Sequence, residues 1–204
     1  MNNWVLLVLG VLVLACEPEG QRIPALKIDA ADVGLSSREG QLIWHGQSFS
    51  GYRYALYPNA DTAELIPFWL GKEEGIARYW YPGRLLREKR FFKMGKKEGV
   101  HYGWWENGQR SFEYHFKADL HQGKALSWHP NGQLSTHFNY EQGQETGLQK
   151  AWYDNGNLRL NYVARNGRQF GLTGVKNCAT VWDASVGKFI EKPVADPMAS
   201  STPQ

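Results

Sequence analysis

Six glycines recur at a fixed interval of 24 residues, and this interval limits the possible folds more than any other feature of the chain. They are Gly51, Gly75, Gly99, Gly123, Gly147 and Gly171. Four of them are followed, five residues later, by a tryptophan: Trp80, Trp104, Trp128 and Trp152. A period of this length is typical of proteins built from repeated supersecondary units. Because such an array presents an extended surface, the period favours binding over catalysis.

Each unit has the pattern of one β-hairpin. Three units carry an Asn-Gly pair between two runs of β-forming residues: Asn107-Gly108, Asn131-Gly132 and Asn155-Gly156. Such a pair is the strongest short-range hairpin signal. The repeated region shows no sustained period of 3.6 residues, which would indicate helices. The sequence therefore predicts an all-β protein, an elongated array of antiparallel β-hairpin repeats.

The length of the hairpin loop determines which side chains share a face of the sheet. A two-residue loop would pair Trp128 with Ser135, whereas a three-residue loop with a glycine bulge pairs it with Leu134. We predict the three-residue loop, which places Phe138 and Tyr140 beside Trp128 and makes the tryptophans a stacked, buried column. Arg84 interrupts the turn pattern, so we expect the turn of the second unit to be built differently.

A second aromatic column directly follows the tryptophan position, at Tyr57, Tyr81, Trp105 and Tyr153. In the predicted register it lies on the opposite, polar face, which also collects His101, His115, His129 and His137. Large aromatic side chains with nothing to bury them are typical anchors of interfaces. We therefore take this column as the candidate interaction surface. The alternative is that residues 28–50 cover these rings.

The repeated string resembles a known family. Trp128-His129-Pro130-Asn131-Gly132-Gln133-Leu134 and Trp152-Tyr153-Asp154-Asn155-Gly156-Asn157-Leu158 look like the MORN-repeat variant of bacterial YwqK-type antitoxin proteins. The resemblance covers roughly residues 43–174. It implies a scaffold or interaction surface and supplies no catalytic residues. It also implies an alternative function, namely that of a cytoplasmic antitoxin that neutralises a partner protein.

The N-terminus resembles a bacterial lipoprotein signal. An apolar stretch from Trp4 to Leu14 ends at Ala15-Cys16. Eleven residues suit a signal-peptide core better than a membrane span. We expect cleavage before Cys16, lipidation of Cys16 and membrane attachment in the bacterial envelope, with inner and outer membrane both open. A plain secretory signal or an uncleaved anchor is the alternative.

These features divide the chain into six parts. We predict a signal peptide (1–15), a tether (16–27), an N-terminal lead-in or cap (28–50), five hairpin repeats (51–170), a degenerate C-terminal cap (171–187) and a disordered tail (188–204). Cap units at the ends of repeat arrays are commonly atypical.

Composition and motifs exclude several classes of function. A formal net charge of +3 without a basic stripe argues against a nucleic-acid partner. No catalytic string is present, so we expect neither an enzyme nor a cofactor. The histidines follow no metal-ligand motif and are interpreted as solvated, and Cys178 as a small buried residue of the cap. The expected partner is an envelope protein. Binding of a glycan or a lipid headgroup by the aromatic column remains an alternative.

Overall fold

The computed structural model describes residues 22–173, 178–183 and 188–193. Throughout these ranges the regular secondary structure is β-strand, which confirms the predicted all-β class. The predicted signal peptide and the lipidation site Cys16 lie outside the described residues.

The strands follow one another in short hairpins along the chain. In order they are β1 (Lys27–Asp29), β2 (Leu35–Arg38), β3 (Gln41–Trp44), β4 (Gln47–Ser48), β5 (Gly51–Leu56), β6 (Thr62–Trp69), β7 (Lys72–Glu73), β8 (Gly75–Trp80), β9 (Leu86–Lys93), β10 (Lys96–Lys97), β11 (Gly99–Trp104), β12 (Arg110–Lys117), β13 (Leu120–Trp128), β14 (Leu134–Glu141), β15 (Gln144–Glu145), β16 (Gly147–Trp152), β17 (Leu158–Arg165), β18 (Arg168–Leu172), β19 (Cys178–Asp183) and β20 (Lys188–Pro193).

Five successive hairpins form one long sheet. The order of its main strands is β1-β5-β6-β8-β9-β11-β12-β13-β14-β16-β17-β18, while β7, β10 and β15 pair with the ends of β6, β9 and β14. Only β1 is parallel to its neighbour, β5. Because spatial order follows chain order, each 24-residue unit pairs with the units directly before and after it. The predicted array of hairpin repeats is confirmed.

The loop inside each hairpin has three residues, as predicted. In the fourth unit the amide of His129 donates to the carbonyl of Gln133 over 2.8 Å, and the amide of Gly132 donates to the carbonyl of His129 over 2.9 Å. Gly132 has a φ of 84°, the left-handed conformation of a glycine bulge. Trp128 accordingly pairs with Leu134.

The turn of the second unit, which contains Arg84, keeps the hydrogen bonds of the other turns but differs from them in backbone conformation, as predicted. The amide of Tyr81 donates to the carbonyl of Leu85 over 2.8 Å, and the amide of Arg84 donates to the carbonyl of Tyr81 over 3.2 Å. Arg84 itself adopts the left-handed conformation, with a φ of 66°. Gly83, just before it, also has a positive φ of 85°, whereas the equivalent Asn107 and Asn131 do not. This turn therefore has two left-handed residues where the others have one.

A second bulge in every hairpin changes the predicted faces. The register shifts between Ser127 and Trp128, so that Ser127 pairs with Thr136 although Trp128 pairs with Leu134. In the third unit, a Cβ built on Gly103 would meet both Phe112 and Ser111, which shows that two successive residues face it. The extra residue inverts the alternation of the rest of the second strand.

As a result, the tryptophans do not share a face with the aromatic residues of the second strands. Trp104 lies near Tyr102, with ring centroids 6.1 Å apart, and the Arg110 guanidinium lies 4.9 Å from the Trp104 ring. We call this side the tryptophan face. The four tryptophans are half-buried rather than enclosed, so the prediction of a buried tryptophan core is wrong.

The opposite side, which we call the aromatic face, holds the more buried residues. It is formed by positions two and four residues after each repeated glycine and by alternate positions of the second strands. Its members include Ala77, Phe92, His101, Phe112, Tyr114, Phe116, Ala125, Tyr140, Gln149, Ala151 and Tyr162. Small residues on one strand leave room for rings on the other, which is how a single sheet layer buries apolar surface here.

Residues 28–50 form an N-terminal cap on the aromatic face. Strands β2, β3 and β4 form a separate three-stranded sheet. Phe49 lies in a buried cluster with Ile66 and Phe68, against which Leu42 and Trp44 pack. The cap covers the aromatic face of the first hairpin.

The C-terminal part departs from the predicted boundaries. Strand β18 ends the long sheet, and β19 and β20 form a separate two-stranded sheet. Since β20 spans Lys188–Pro193, the first six residues of the predicted disordered tail form a strand. Residues 194–204 lie outside the described residues.

Candidate interaction groove on the aromatic face

Side chains directly after the tryptophan position bond each unit to the next. Three donors reach a tryptophan carbonyl of the following unit: the Tyr57 hydroxyl to Trp80 over 2.8 Å, the Tyr81 hydroxyl to Trp104 over 3.1 Å, and Trp105 Nε1 to Trp128 over 3.0 Å. In the fourth unit, Nε2 of His129 lies 3.0 Å from the carbonyl of Trp152. We call these four side chains the ring ladder. Every bond spans 23 residues, so the ladder follows directly from the repeat.

The asparagines of the turns form a second connection between units. Asn107 Nδ2 donates to the carbonyl of Pro130 over 2.7 Å, and Asn131 Nδ2 donates to that of Asp154 over 2.8 Å. Their Oδ1 atoms accept from the amide two residues later in their own turns. One asparagine thus closes its own turn and fixes the position of the next, which explains why Asn stands at this position of the repeat.

A groove of about 520 Å³ runs across the middle three hairpins on the aromatic face. Three successive members of the ring ladder line it, namely Tyr81, Trp105 and His129. The rings of Phe112 and Tyr114, stacked with their centroids 4.7 Å apart, also line it. Hydroxyl groups are supplied by Ser111, Ser127 and Ser135. The lining therefore offers both ring surface and polar groups.

The charges at one end of the groove are paired. Nε of Arg87 lies 3.5 Å from Oε1 of Glu88, and the other carboxylate oxygen of Glu88 accepts from Nε of Arg90 over 2.7 Å. The Arg87 guanidinium lies 5.9 Å from the centre of the Tyr81 ring and 5.8 Å from that of Tyr79. Because Glu88 is bound by two arginines, it serves to hold Arg87 against the rings rather than as a free base.

A second recess of about 430 Å³ adjoins the groove at the hairpin turns. Tyr81, Trp105, Glu106, Asn107 and Pro130 line it. Burial, and then the Glu106 carboxylate, raise the pKa of the Tyr81 hydroxyl. Burial likewise raises the pKa of Tyr114.

The structure separates the residues of the predicted interaction surface. Tyr81 and Trp105 line the groove, whereas Tyr57 precedes it along the ladder and Tyr153 follows it. Tyr153 is 52% exposed. In the other units the bond partner lies 23 residues later, which for Tyr153 is residue 176, outside the described residues. The column lies on the aromatic face rather than on a polar one, so the predicted surroundings of these rings are wrong.

Three groove residues differ in part from the prediction. His129 was expected on the same face as Tyr81 and Trp105 but not in their column, although it stands at the same repeat position. Phe112 and Tyr114 are the equivalents, one unit earlier, of positions 136 and 138, so the predicted register places them beside the tryptophans, as it does Phe138. They line the groove because the second bulge turns them to the other face.

The predicted histidine face does not exist. His101 is only 2% exposed and bonds through Nε2 to the carbonyl of Phe91 over 2.8 Å, whereas His115 pairs with Val100 on the tryptophan face. Burial lowers the pKa of His101, and burial and then Lys97 lower that of His121. Within the described part of the chain, no group of three or more His, Cys, Asp or Glu side chains is placed to hold a metal ion.

The chain matches no protein-family model and no curated protein. Among the described residues, no helix is long and apolar enough to cross a membrane.

Proposed function

We propose that the protein is a lipid-anchored scaffold of the bacterial envelope, which binds a partner protein through its MORN-like hairpin repeats and carries out no reaction itself. The groove across the middle three hairpins is the observation that carries this proposal. It spans several units and combines aromatic surface with hydroxyl groups, as interface centres commonly do.

The rigidity of the groove supports a role in binding. The donor atoms of Tyr81 and Trp105 are held by backbone carbonyls of the next unit, so their rings are fixed before a partner arrives. Preorganised side chains lose less conformational entropy on association, and this raises affinity for a given contact area.

The anchor is supported by the sequence. The apolar stretch before Cys16 has the length of a signal-peptide core, and cysteine after Ala15 fits a lipid attachment site. Several acyl chains are needed for stable anchoring. We therefore expect Cys16→Ala to move the protein out of the membrane fraction or to leave its signal peptide uncleaved. A mature protein of unmodified mass that begins at another residue would contradict the anchor.

Crosslinking in intact cells tests the scaffold role. A photo-reactive residue introduced at Ser111, inside the groove, should capture a partner, whereas the same residue at the exposed turn position Asn155 should not. Trp105→Ala should reduce the yield at Ser111 strongly. Equal crosslinking yields from the two positions, or a yield at position 111 that does not depend on Trp105, would show that the groove is not the binding site.

A further inference from the structure

The spacing of the ring ladder gives a measure of the ligand. Successive rings belong to successive hairpins, and each hairpin contributes two strands to the sheet. Since neighbouring strands lie about 4.7–4.9 Å apart, successive rings lie about 9.4–9.8 Å apart. A chain that contacts each ring in the same way must repeat at this distance.

A polyproline II helix repeats at nearly this distance. It has three residues per turn and rises about 3.1 Å per residue, so it repeats every 9.3 Å or so. In an extended strand, side chains on one side are about 6.6–6.8 Å apart, a spacing that does not match that of the rings. The distance from Tyr81 to His129 is two ladder steps, which corresponds to about six residues of polyproline II.

The hydroxyl groups of the lining favour an extended backbone over an α-helix. The carbonyls of an α-helix are bonded within the helix. A polyproline II chain has no internal hydrogen bonds, so its carbonyls can accept from the hydroxyls of Ser111 and Ser135 in the groove.

The charges of the site complement a basic residue within such a chain. Glu88 is paired with both Arg87 and Arg90, so it offers no free carboxylate. Glu106 follows the middle ring, Trp105, and borders the adjoining recess, and its carboxylate makes no salt bridge among the described residues. A Lys or Arg between the prolines that contact Tyr81 and Trp105 would therefore meet an unpaired carboxylate.

We propose that the groove binds a proline-rich segment of the partner protein in the polyproline II conformation, with a proline at every third residue against Tyr81, Trp105 and His129 and a basic residue beside Glu106. This rests on the proposed role as a protein-interaction scaffold. Aromatic grooves suit this conformation because it is already ordered before binding and loses little entropy.

Titration of the full chain with synthetic peptides tests the proposal. The probe is a nine-residue proline peptide with one arginine at a central position. Its binding is measured by tryptophan fluorescence and calorimetry, with a Gly-Ser peptide of equal length and charge as control. We expect the oligoproline to bind at least tenfold more tightly than the control. Comparable binding of the two peptides, or binding of neither at millimolar concentration, would overturn the proposal.

Variants locate the peptide. Trp105→Ala should weaken binding about tenfold, whereas the matched variant Tyr57→Ala removes a ladder ring outside the groove and should leave affinity unchanged. Glu106→Gln should weaken binding of the arginine-bearing peptide about threefold and leave binding of its neutral analogue unchanged. Equal effects of Trp105→Ala and Tyr57→Ala would place the peptide elsewhere.

A blocking variant covers the case in which Trp105→Ala does not fold. Ser135→Arg fills the groove, and arginine stands at the same repeat position in Arg87 and Arg159, so the hairpin accepts it. We expect Ser135→Arg to abolish binding without loss of stability. Unchanged binding to this folded variant would contradict the proposal.

Two further outcomes separate this proposal from the scaffold role. A neutral β-linked oligosaccharide that binds with the same dependence on Trp105, in place of the peptide, would assign the groove to glycans. If no peptide binds but the crosslink at Ser111 still depends on Trp105, the scaffold role stands and the polyproline ligand is wrong.

Discussion

At the scale of single residues, the repeat leaves several positions where one unit departs from the others, and each departure shows what the position requires. Glycine occupies the left-handed position of the turn at Gly108, Gly132 and Gly156, but Ala60 and Arg84 occupy it in the first two units. Two residues after the repeated glycine, the third unit has His101 and the fifth has Gln149, which is fully enclosed. Equivalent positions in different units can therefore be compared as natural substitutions within one protein.

Ala60→Gly should stabilise the protein. Ala60 has a φ of 64°, a conformation that costs a non-glycine residue about 1–2 kcal/mol. Glycine removes this cost but adds about 0.4–1 kcal/mol of unfolded-state entropy. We expect a net gain of about 0–1.6 kcal/mol in the free energy of unfolding in urea melts. Ala125→Gly, at a buried strand position, is the control and should destabilise.

Acidification should destabilise the fold through His101. Burial lowers its pKa in the folded state below the unfolded value near 6.5, so the unfolded state binds the proton first. The stability that depends on neutral His101 is therefore fully present above about pH 6.5 and is lost as the pH falls below this value. Urea melts between neutral pH and mildly acidic pH should show this decline.

His101→Gln should reduce the pH dependence without loss of stability at neutral pH. Gln149, at the same repeat position, donates through Nε2 to the carbonyl of Asn139 over 2.8 Å, just as His101 does to that of Phe91. A glutamine at position 101 can therefore keep the bond and cannot titrate. An unchanged slope of stability against pH would show that His121 or another group dominates.

At the scale of the hairpin, one of the two bulges could be predicted and the other could not. The turn glycine at Gly132 has a sequence signal because only glycine adopts its φ at low cost. The second bulge falls at Ala63, Arg87, Ser111, Ser135 and Arg159, which share no residue type. The pairing of Trp128 with Leu134 was therefore predicted correctly, while the face of everything beyond Ser135 was not.

Gly103→Ala should destabilise the third hairpin. A Cβ at this position would lie 2.1 Å from Cε1 of Phe112 and 2.6 Å from Oγ of Ser111, so the ring must move. Overpacking of this kind costs about 1–3 kcal/mol. The change is measurable as a lower midpoint in urea.

Phe112→Leu should rescue Gly103→Ala. The fifth unit already combines alanine and leucine at these two positions, where Ala151 pairs with Leu160. The double variant should therefore be more stable than Gly103→Ala alone. Additive losses in the double-mutant cycle would show that the two residues do not interact.

At the scale of the whole molecule, the repeat predicted the architecture of the array but not that of its N-terminal cap. Five hairpins in chain order follow from the 24-residue period, because each unit can pair only with its neighbours. The period contains no information about the cap. Leu42 and Phe49 bury their side chains against Ile66 and Phe68 through contacts that no other unit repeats. The groove was likewise only partly predicted, since its floor depends on the second bulge.

Removal of one complete unit should leave a folded protein. Deletion of residues 123–146 joins Gln122 to Gly147, and Trp105 then meets the carbonyl of Trp152 in place of that of Trp128. The stability of such arrays is close to the sum of the stabilities of the units and of the contacts between neighbours. The free energy of unfolding should therefore fall by the contribution of one unit and one such contact. Deletion of residues 123–134, half a unit, should abolish cooperative unfolding in circular dichroism melts. Similar melts for both deletions would contradict this view.

The ring ladder also makes one indole proton a local sensor. The Nε1 proton of Trp105 is held by the Trp128 carbonyl and can exchange with solvent only after this bond breaks. Its resonance therefore reports on one contact between the third and fourth hairpins. The exchange rate in deuterated water would give the free energy with which this contact opens, even where the array as a whole stays folded.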